Sequence, residues 1–174
     1  MINKLRIIIH MLWVKLRHPS IKTNGIHCVR PDTEINIHSG GKLYIGRSVD
    51  TQRRVTLSVI GGKLTIGDGT SFNRNDIVVC RDTISIGCNC YFGPNVAIYD
   101  HDHKFDRNGT AANEYNTGHI IIENNCWIGA NTVILRQTHI GEHCVIGAGT
   151  VVKGDIPHHS IVTNNREMIV KEIE

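Results

Sequence analysis

The most regular feature of the sequence is an aliphatic residue that recurs every six positions. In the C-terminal half this series consists of Ile122, Ile128, Ile134, Ile140, Ile146 and Val152. A small or β-branched residue, such as Thr132 or Cys144, comes four places after most of its members. The same phase appears upstream at Ile86, Phe92 and Ile98. A fixed period of six is typical of hexapeptide β-helices, in which each hexad supplies one short strand and one corner.

Longer spacings show how many hexads close one coil. Residues 40–46 read GGKLYIG, and residues 61–67 read GGKLTIG, nearly the same segment 21 positions later. Ile122 and Ile140 are 18 positions apart, and Ile86 and Ile122 are 36 apart. The chain therefore advances by about 18 residues, or three hexads, per coil. We predict an all-β fold, a parallel β-helix whose aliphatic residues stack inside triangular coils at a spacing of about 4.8 Å.

The predicted β-helix occupies residues 19–157, and the segments on either side of it have other patterns. Residues 1–18 carry apolar side chains at the three- and four-residue spacing of an amphipathic helix, which ends before Pro19. Residues 158–174 lie beyond the hexads, and we expect them to cap the second end, because open solenoid ends expose strand edges. The basic N-terminal helix caps the first coil, packs between subunits of an oligomer, or contacts a membrane surface.

The N-terminal segment also bears on the expected cellular location. His10 interrupts its apolar run, and Lys15 and Arg17 follow without a small-residue cleavage site, which does not fit a secretory signal. We therefore expect a cytoplasmic protein with six free cysteines. The pair Cys88 and Cys90 has the wrong spacing for a zinc site. The cysteines that share one phase of the repeat are expected to be small interior residues: Cys90, Cys126 and Cys144.

Composition narrows the classes of function. The chain has 174 residues, which suits one domain, and only 5% of them are aromatic. Its net charge is +3 and its basic residues are not clustered, so nucleic acid is not an expected partner. No run of about 18 apolar residues could form a membrane-spanning helix.

One long interruption of the repeat contains the candidate chemistry. Between residues 99 and 119 the hexad disappears, and the segment is polar and charged. It holds His101 and His103 together with Asp100, Asp102 and Asp106. A charged solvent loop is the alternative interpretation, but rigid scaffolds commonly carry function on loops that leave their wall. We predict an extruded active-site loop in which one of the three aspartates orients an imidazole or the acceptor, and the spacing does not choose among them.

Three segments around this interruption resemble the hexapeptide-repeat acetyltransferases. They are residues 95–103 (NVAIYDHDH), 122–130 (IENNCWIGA) and 145–152 (VIGAGTVV). Within that family the sequence is similar to the galactoside and maltose O-acetyltransferases and to the sugar O-acetyltransferases of capsule and lipopolysaccharide synthesis. The resemblance implies a left-handed β-helix, a homotrimer, acetyl-CoA sites between subunits, and a sugar or glycan acceptor, with no metal required.

The resemblance also implies roles for single residues in acceptor chemistry. The family's general base is a loop histidine five residues after the last interior aliphatic residue, which is Ile98 here. This offset selects His103 as the base, with His101 as the second candidate. Asn73 matches an asparagine that lines the acceptor site, and Trp127 matches a tryptophan near the active-site cleft.

The same resemblance suggests which residues contact coenzyme A. Ala130 and Ala148 match small residues beside the pantetheine arm. The family often ends with a Gly-x-Pro-Ala-Lys/Arg turn, and this sequence has NNREM at residues 164–168 instead. Three basic residues near the C-terminus are therefore the remaining candidates for contacts to the phosphates and adenine of coenzyme A: Lys153, Arg166 and Lys171.

The predicted reaction agrees with the residue types. A sugar hydroxyl needs a base to remove its proton during attack on a thioester, and imidazole, with an unperturbed pKa of about 6.5, suits that task near neutral pH. A backbone N–H is the usual donor to the developing oxyanion. No nucleophile elbow is visible, so direct transfer is preferred to an acyl-enzyme.

Several other functions remain open at this stage. An N-acetyltransferase that acts on an amino sugar or an antibiotic would use the same fold. A zinc enzyme similar to the γ-class carbonic anhydrases would use His103, His139 and His143, although the last two are four apart where that family usually has five. A non-enzymatic scaffold is the third alternative.

Overall fold

The computed structural model describes residues 4–25, 28–107 and 109–164. These residues form one helix and nineteen strands. The elements are α1 (Lys4–Arg17), β1 (Ile21–Thr23), β2 (Glu34–His38), β3 (Lys42–Ile45), β4 (Asp50–Thr51), β5 (Thr56–Ile60), β6 (Lys63–Ile66), β7 (Ser71–Phe72), β8 (Ile77–Cys80), β9 (Thr83–Ile86), β10 (Tyr91–Phe92), β11 (Ala97–Tyr99), β12 (His101–Asp106), β13 (Gly109–Thr117), β14 (Ile120–Ile122), β15 (Trp127–Ile128), β16 (Val133–Ile140), β17 (Val145–Ile146), β18 (Val151–Ile156) and β19 (Ile161–Val162).

The strands form the three faces of a left-handed parallel β-helix, as predicted. An eleven-stranded sheet has the order β1-β3-β6-β9-β14-β16-β11-β8-β5-β2, with β18 also paired to β16. This sheet covers two faces of the prism. Strands β16 and β18 both run from one face to the next across a corner, and their pairing shifts register at that corner, between Ile134 and Thr138. The third face is a six-stranded sheet in the order β19-β17-β15-β10-β7-β4. All pairings within these two sheets are parallel, since each strand pairs with its counterpart one coil away.

The hexad residues fill the interior of the prism. Ile122 pairs with Ile140, and Ile140 pairs with Ile156, so that each aliphatic residue stacks on its equivalent in the next coil. All six members of the C-terminal series are at most 2% exposed. The rings of Phe72 and Phe92 stack with their centroids 4.8 Å apart. The predicted core is therefore confirmed.

Three cysteines line one edge of this interior. The Sγ atoms of Cys90, Cys126 and Cys144 are each 3.1–3.2 Å from a backbone carbonyl oxygen in the following coil, to which the thiols donate. Burial raises the pKa of the Cys144 thiol. The predicted role as small interior residues is confirmed, since each thiol also satisfies a carbonyl group that the narrow coil encloses.

One corner of the prism, between the six-stranded face and the face of β8, is built from asparagines; we call it the asparagine corner. Asn75, Asn95 and Asn131 all have positive φ, between 57° and 61°. The Asn75 Nδ2 donates to Asn95 Oδ1 at 2.9 Å, and the Asn95 Nδ2 donates to Asn131 Oδ1 at 3.1 Å. Asparagine suits the left-handed region, and this ladder ties three coils together.

Replacing Asn95 by alanine should lower the free energy of unfolding by about 1–2 kcal/mol, because alanine is strained at this φ. Asn95→Gly keeps the ladder broken but removes the strain, so it should cost less. Thermal or urea unfolding of the two variants measures both contributions. Equal losses in the two variants would show that the side-chain ladder, and not the backbone conformation, determines the residue at this corner.

The N-terminal helix lies against the first coil. Met11 and Val14 are buried and belong to the same hydrophobic core as the solenoid, and the His18 N–H donates to the Val14 carbonyl at the helix end. The prediction of a helix over residues 1–18 agrees with α1, except that residues 1–3 lie outside the described residues. No helix among the described residues is long and apolar enough to span a bilayer.

The predicted C-terminal cap begins with solenoid structure. Strand β19 continues the six-stranded sheet, with Val145 paired to Ile161 and Ile146 to Val162. The rest of the predicted cap, residues 165–174, lies outside the described residues. What caps this end therefore remains a prediction.

Candidate active site

The interruption of the repeat forms a β-hairpin, which we call the hairpin. Strands β12 and β13 pair antiparallel, with His101 opposite Thr117 and His103 opposite Tyr115, and with a register shift between His103 and Phe105. Alternate residues of a strand point to the same side, so both histidines lie on one side of the hairpin. The sequence predicted an irregular loop here, and the antiparallel pairing is the difference.

Asp100 anchors the base of the hairpin. Its side chain has no exposed surface, and its carboxylate accepts hydrogen bonds from the Arg81 and Asp82 N–H groups of the preceding coil at 2.8–3.0 Å. The Gly118 N–H donates to the Asp100 carbonyl at 2.9 Å, which closes the hairpin base. The Asp100 Oδ1 also lies 3.2 Å from His101 Nδ1, which fits the predicted role of orienting an imidazole, and its predicted contact with the acceptor stays a prediction.

The two histidines differ in exposure and in partners. The His101 side chain is only 13% exposed, and its Nδ1 lies 3.2 Å from Asp100 Oδ1, which leaves Nε2 on the opposite edge of the ring. His103 is exposed, and its ring packs on Tyr115 with 4.7 Å between centroids. Tyr115 also contacts His101 edge-on at 5.4 Å. The aromatic ring of Tyr115 thus fixes the relative position of both imidazoles.

A cation lies on the same tyrosine. The Arg81 guanidinium carbon is 3.7 Å from the centre of the Tyr115 ring, a cation–π arrangement. The Arg81 Nε is buried and has no hydrogen-bond partner among the described residues. The Arg81 guanidinium therefore packs on the same ring that contacts both imidazoles.

Asp102 connects the other side of the hairpin to the solenoid wall. Its Oδ2 lies 2.5 Å from the Nε of Arg136 on β16, and the Arg136 Nη1 donates to Gln137 Oε1 at 3.0 Å. The Asp102 side chain is 41% exposed, so it retains surface for a substrate. The structure therefore places Asp102 in a positioning contact and leaves its predicted contact with the acceptor as a proposal.

Breaking the Asp102–Arg136 pair should loosen the hairpin without unfolding the coil. We expect Asp102→Asn and Arg136→Gln each to lower amide hydrogen-exchange protection in β12 and β13 about fivefold, since a partly exposed ion pair contributes about 1 kcal/mol. The double variant should be no worse than either single variant. Lys104→Gln, which breaks a more exposed pair with Glu114, is the control and should change protection less. Additive effects would contradict a direct coupling.

A second group of predicted residues lies at the asparagine corner. Asn73, Ala130 and Ala148 occupy this corner in different coils, and Trp127 lies close by on β15 with its side chain 57% exposed. Gly129 permits the tight spacing, because a Cβ at this position would lie 2.5 Å from the Ala148 nitrogen. Because the side chains of Ala130 and Ala148 are small, they leave space at this part of the corner, in the direction of the coil axis.

A buried carboxylate supports Asn73. The Asn73 N–H donates to Asp76 Oδ2 at 2.6 Å, and the Val96 N–H donates to Asp76 Oδ1 at 2.9 Å. Burial raises the pKa of Asp76 to about 7 against the opposing effect of these two bonds. Since the folded chain then holds a proton that the unfolded chain releases between about pH 4 and 7, this group contributes less to stability as the pH rises through that range.

The predicted residues fall into two separate groups within one protomer. His101, His103 and Asp102 leave the corner between the faces of β11 and β14, whereas Asn73 lies at the asparagine corner, which is a different edge of the prism. Lys153, on β18 one coil beyond Arg136, lies on the hairpin side and not beside Ala148. The remaining basic candidates, Arg166 and Lys171, lie outside the described residues.

The structure adds three residues that the sequence did not suggest: Arg81, Tyr115 and Arg136. Arg81 belongs to the coil before the hairpin and Arg136 to the coil after it, so neither is close in sequence to the histidines. Tyr115 lies in the interrupted segment, and only the hairpin register places it opposite His103. An aromatic residue within a polar loop was the one signal that could have identified it.

The alternative zinc site is not assembled within the described part of the chain. His139 Nε2 lies 2.9 Å from Glu123 Oε1, His143 stacks on His159 at 5.0 Å, and His103 is on the hairpin. No cluster of three or more potential ligands from His, Cys, Asp and Glu occurs within residues 4–25, 28–107 and 109–164. Metal analysis of the purified protein tests this alternative directly.

Comparison with known proteins shows which proteins this chain resembles. A family model described as bacterial transferase hexapeptide (six repeats) matches residues 119–154. A Mycobacterium tuberculosis protein named "Probable acetyltransferase Rv3034c" is 30% identical over 164 residues, which are 92% of this chain and 55% of that protein. The galactoside O-acetyltransferase of Escherichia coli K12 is 33% identical over 117 residues, 65% of this chain and 56% of that enzyme.

Solved structures agree with the fold. An N-acyltransferase from Bacillus cereus, determined with dTDP and 3-hydroxybutyryl-CoA, has a TM-score of 0.70 at 20% identity and covers 86% of this chain and 81% of its own. The chain thus has the left-handed β-helix fold, and its residues 119–154 match the hexapeptide repeats of bacterial transferases. It is similar to proteins named as acetyltransferases over 65–92% of its length. It spans only a little over half the length of the two curated relatives described above.

Proposed function

We propose that the protein transfers an acetyl group from acetyl-CoA to a hydroxyl of a sugar or glycan intermediate. The observation that carries the proposal is the hairpin, which presents an exposed His103 beside a fixed His101 at the interruption of the hexad repeat. The similarity to galactoside O-acetyltransferases supports a hydroxyl acceptor. The CoA complex of the Bacillus cereus structural neighbour supports the same class of acyl donor.

His103 is the proposed general base. Its imidazole takes the proton of the acceptor hydroxyl while the oxygen attacks the thioester carbonyl carbon. A new C–O bond forms, the C–S bond breaks, and the departing CoA thiolate receives the proton from the imidazolium. Arg81 packs on the Tyr115 ring that contacts the imidazole, and Asp100 with His101 holds the hairpin strand in place.

The two groups of predicted residues support a homotrimer. Asn73 and Ala130 lie at the asparagine corner and the histidines on the hairpin, so a complete site needs the hairpin of one subunit beside the asparagine corner of another. Trp127 lies on the six-stranded face beside the asparagine corner and pairs in register with Tyr91, and both side chains are exposed in one protomer. Small side chains at Ala130 and Ala148 leave room for a pantetheine arm in the resulting cleft.

Light scattering tests the trimer. We expect a mass of about three times the 19.4 kDa of one chain. Trp127→Glu should lower that mass or the affinity for CoA, since it places a charge in the proposed cleft. A monomeric protein with full activity would contradict a site shared between subunits.

An acceptor screen tests the proposed reaction. The full chain is incubated with acetyl-CoA and a panel of free sugars, nucleotide sugars and amino sugars, and free thiol release is measured. Alkaline hydroxylamine cleaves an acetyl ester but not an acetamide, so treatment of the product separates O-acetylation from N-acetylation. Release only with amino sugars, giving hydroxylamine-resistant products, would replace the proposal by N-acetylation, which the N-acyltransferase neighbour represents.

We place the reaction in the cytoplasm, where six free thiols persist.

A further inference from the structure

The N-terminal helix has an apolar surface that the solenoid does not cover. Six large apolar residues of α1 are more than half exposed, and Leu16 reaches 82%. Their spacing of one, three and four positions places them on one side of the helix, within a sector of about 140° at about 100° per residue. We call this surface the apolar stripe: Leu5, Ile8, Ile9, Leu12, Trp13 and Leu16.

The orientation of this stripe is fixed. Met11 and Val14, on the opposite side of α1, are buried in the core of the first coil. Rotation of the helix to bury the stripe would expose both of these residues. An amphipathic surface helix ordinarily turns its one apolar face inward. Here a second apolar face points away from the protein.

Cations border the stripe on both sides. At about 100° per residue, Arg6 and Arg17 fall beside Trp13, and Lys15 falls beside Ile8 on the other border. All three basic side chains are exposed, and the Arg17 guanidinium lies 5.2 Å from the centre of the Trp13 ring. The segment Lys4–Arg17 contains no acidic residue. A stripe of large apolar residues with a tryptophan and flanking cations is the pattern of helices that lie in a membrane interface.

We propose that α1 docks the protein onto an anionic phospholipid membrane. The apolar stripe inserts among the acyl chains, and Arg6, Lys15 and Arg17 contact anionic headgroups. Charge favours this occupant over a second copy of the helix, since two copies would bring like charges together with no carboxylate in α1 to pair them. Four inter-strand spacings, about 20 Å, separate β1 from β14 beside the hairpin. Docking therefore holds the hairpin within reach of acceptors attached to the membrane.

Vesicle co-sedimentation of the full chain tests the proposal. We expect binding to phosphatidylcholine vesicles that contain phosphatidylglycerol, and weaker binding to pure phosphatidylcholine or in high salt. Leu12→Gln combined with Leu16→Gln should reduce partitioning at least tenfold. Lys15→Gln combined with Arg17→Gln should reduce it about 25-fold, or roughly fivefold for each cation. Val151→Gln, which replaces an exposed apolar residue outside α1, is the control and should change nothing.

A second measurement does not depend on the helix variants folding. In a Trp127→Phe background Trp13 is the only tryptophan, and its fluorescence should shift to shorter wavelength with anionic vesicles alone. Equal binding to neutral vesicles, or none to anionic ones, would overturn the proposal. If the leucine double variant formed a smaller oligomer than the original chain in the absence of lipid, the apolar stripe would be a contact between copies of the chain. That result would also overturn the membrane proposal. Acetyl transfer to a water-soluble sugar should be unchanged in that variant, so membrane docking and the proposed reaction fail or succeed separately.

Discussion

Replacing His103 by alanine should lower turnover by about 10²–10⁴-fold, the usual effect of removing a positioned general base. The loss should appear in kcat, because the hydroxyl proton is removed only in the transition state. The affinity for CoA should change little, since the residues proposed to contact the pantetheine arm lie at the asparagine corner. His103 is exposed and outside the packed interior, so the melting temperature should stay near that of the original chain.

Two further variants make this result specific. His101→Ala should reduce turnover less than His103→Ala, because the His101 side chain is mostly buried and contacts Asp100. His38→Ala removes an exposed histidine of the first coil and should have no effect. If His101→Ala is inactive while His103→Ala keeps full activity, the Asp100–His101 pair carries the base function and the offset from Ile98 is misassigned by two. Full activity in both variants would refute the mechanism.

Tyr115 provides an independent test of how the histidines are held. Tyr115→Phe keeps the ring that packs against both imidazoles and against Arg81, so it should retain most of the activity. Tyr115→Ala removes the ring and should lower kcat more than it alters KM, because it disturbs the position of the imidazole and not the acceptor site. Equal losses in the two variants would mean that the tyrosine hydroxyl itself has a role in the reaction.

The sequence was sufficient to predict the solenoid because its signal is repeated in every coil. One register error in a β-helix would move every interior aliphatic residue to the surface, so the pattern from Ile86 to Val152 leaves a single consistent register. Thr132 and Cys144 followed from the same phase. The position of the hairpin was predictable for the related reason that the pattern stops at Ile98 and resumes at Ile122.

The inside of the candidate site was less predictable because it depends on contacts between coils. The sequence did not show which group Asp100 orients, and it gave no sign that its carboxylate accepts from two backbone N–H groups about 18 residues earlier in the chain. Arg136 is 34 residues from its partner Asp102. Contacts at such separations depend on how many residues each coil contains, because this number decides which residues of neighbouring coils lie side by side. The number varies where the early coils contain insertions.

Introducing an aspartate at Ile140 should abolish folding or lower the free energy of unfolding by several kcal/mol. Ile140 has no exposed surface and stacks between Ile122 and Ile156, where a carboxylate would find no hydrogen-bond donor or cation. Because each coil stacks only on its neighbours, a defect here interrupts the column between the hairpin and the C-terminal coils. We expect insoluble protein, or a soluble product that lacks a cooperative unfolding transition.

Two adjacent valines supply a matched comparison for this prediction. Val152 is 2% exposed and Val151 is 55% exposed, although both belong to β18 and both pair with residues of β16. Val152→Asp should therefore behave like Ile140→Asp, because it buries a charge in the same column. Val151→Asp places the same charge in solvent and should change stability by about 0.5 kcal/mol or less. The measurement is the yield of soluble protein and the urea midpoint of each variant. If Val151→Asp were the more damaging of the two, the inward and outward assignments of the hexad would be reversed, and the register that places Ile140 inside the prism would be wrong.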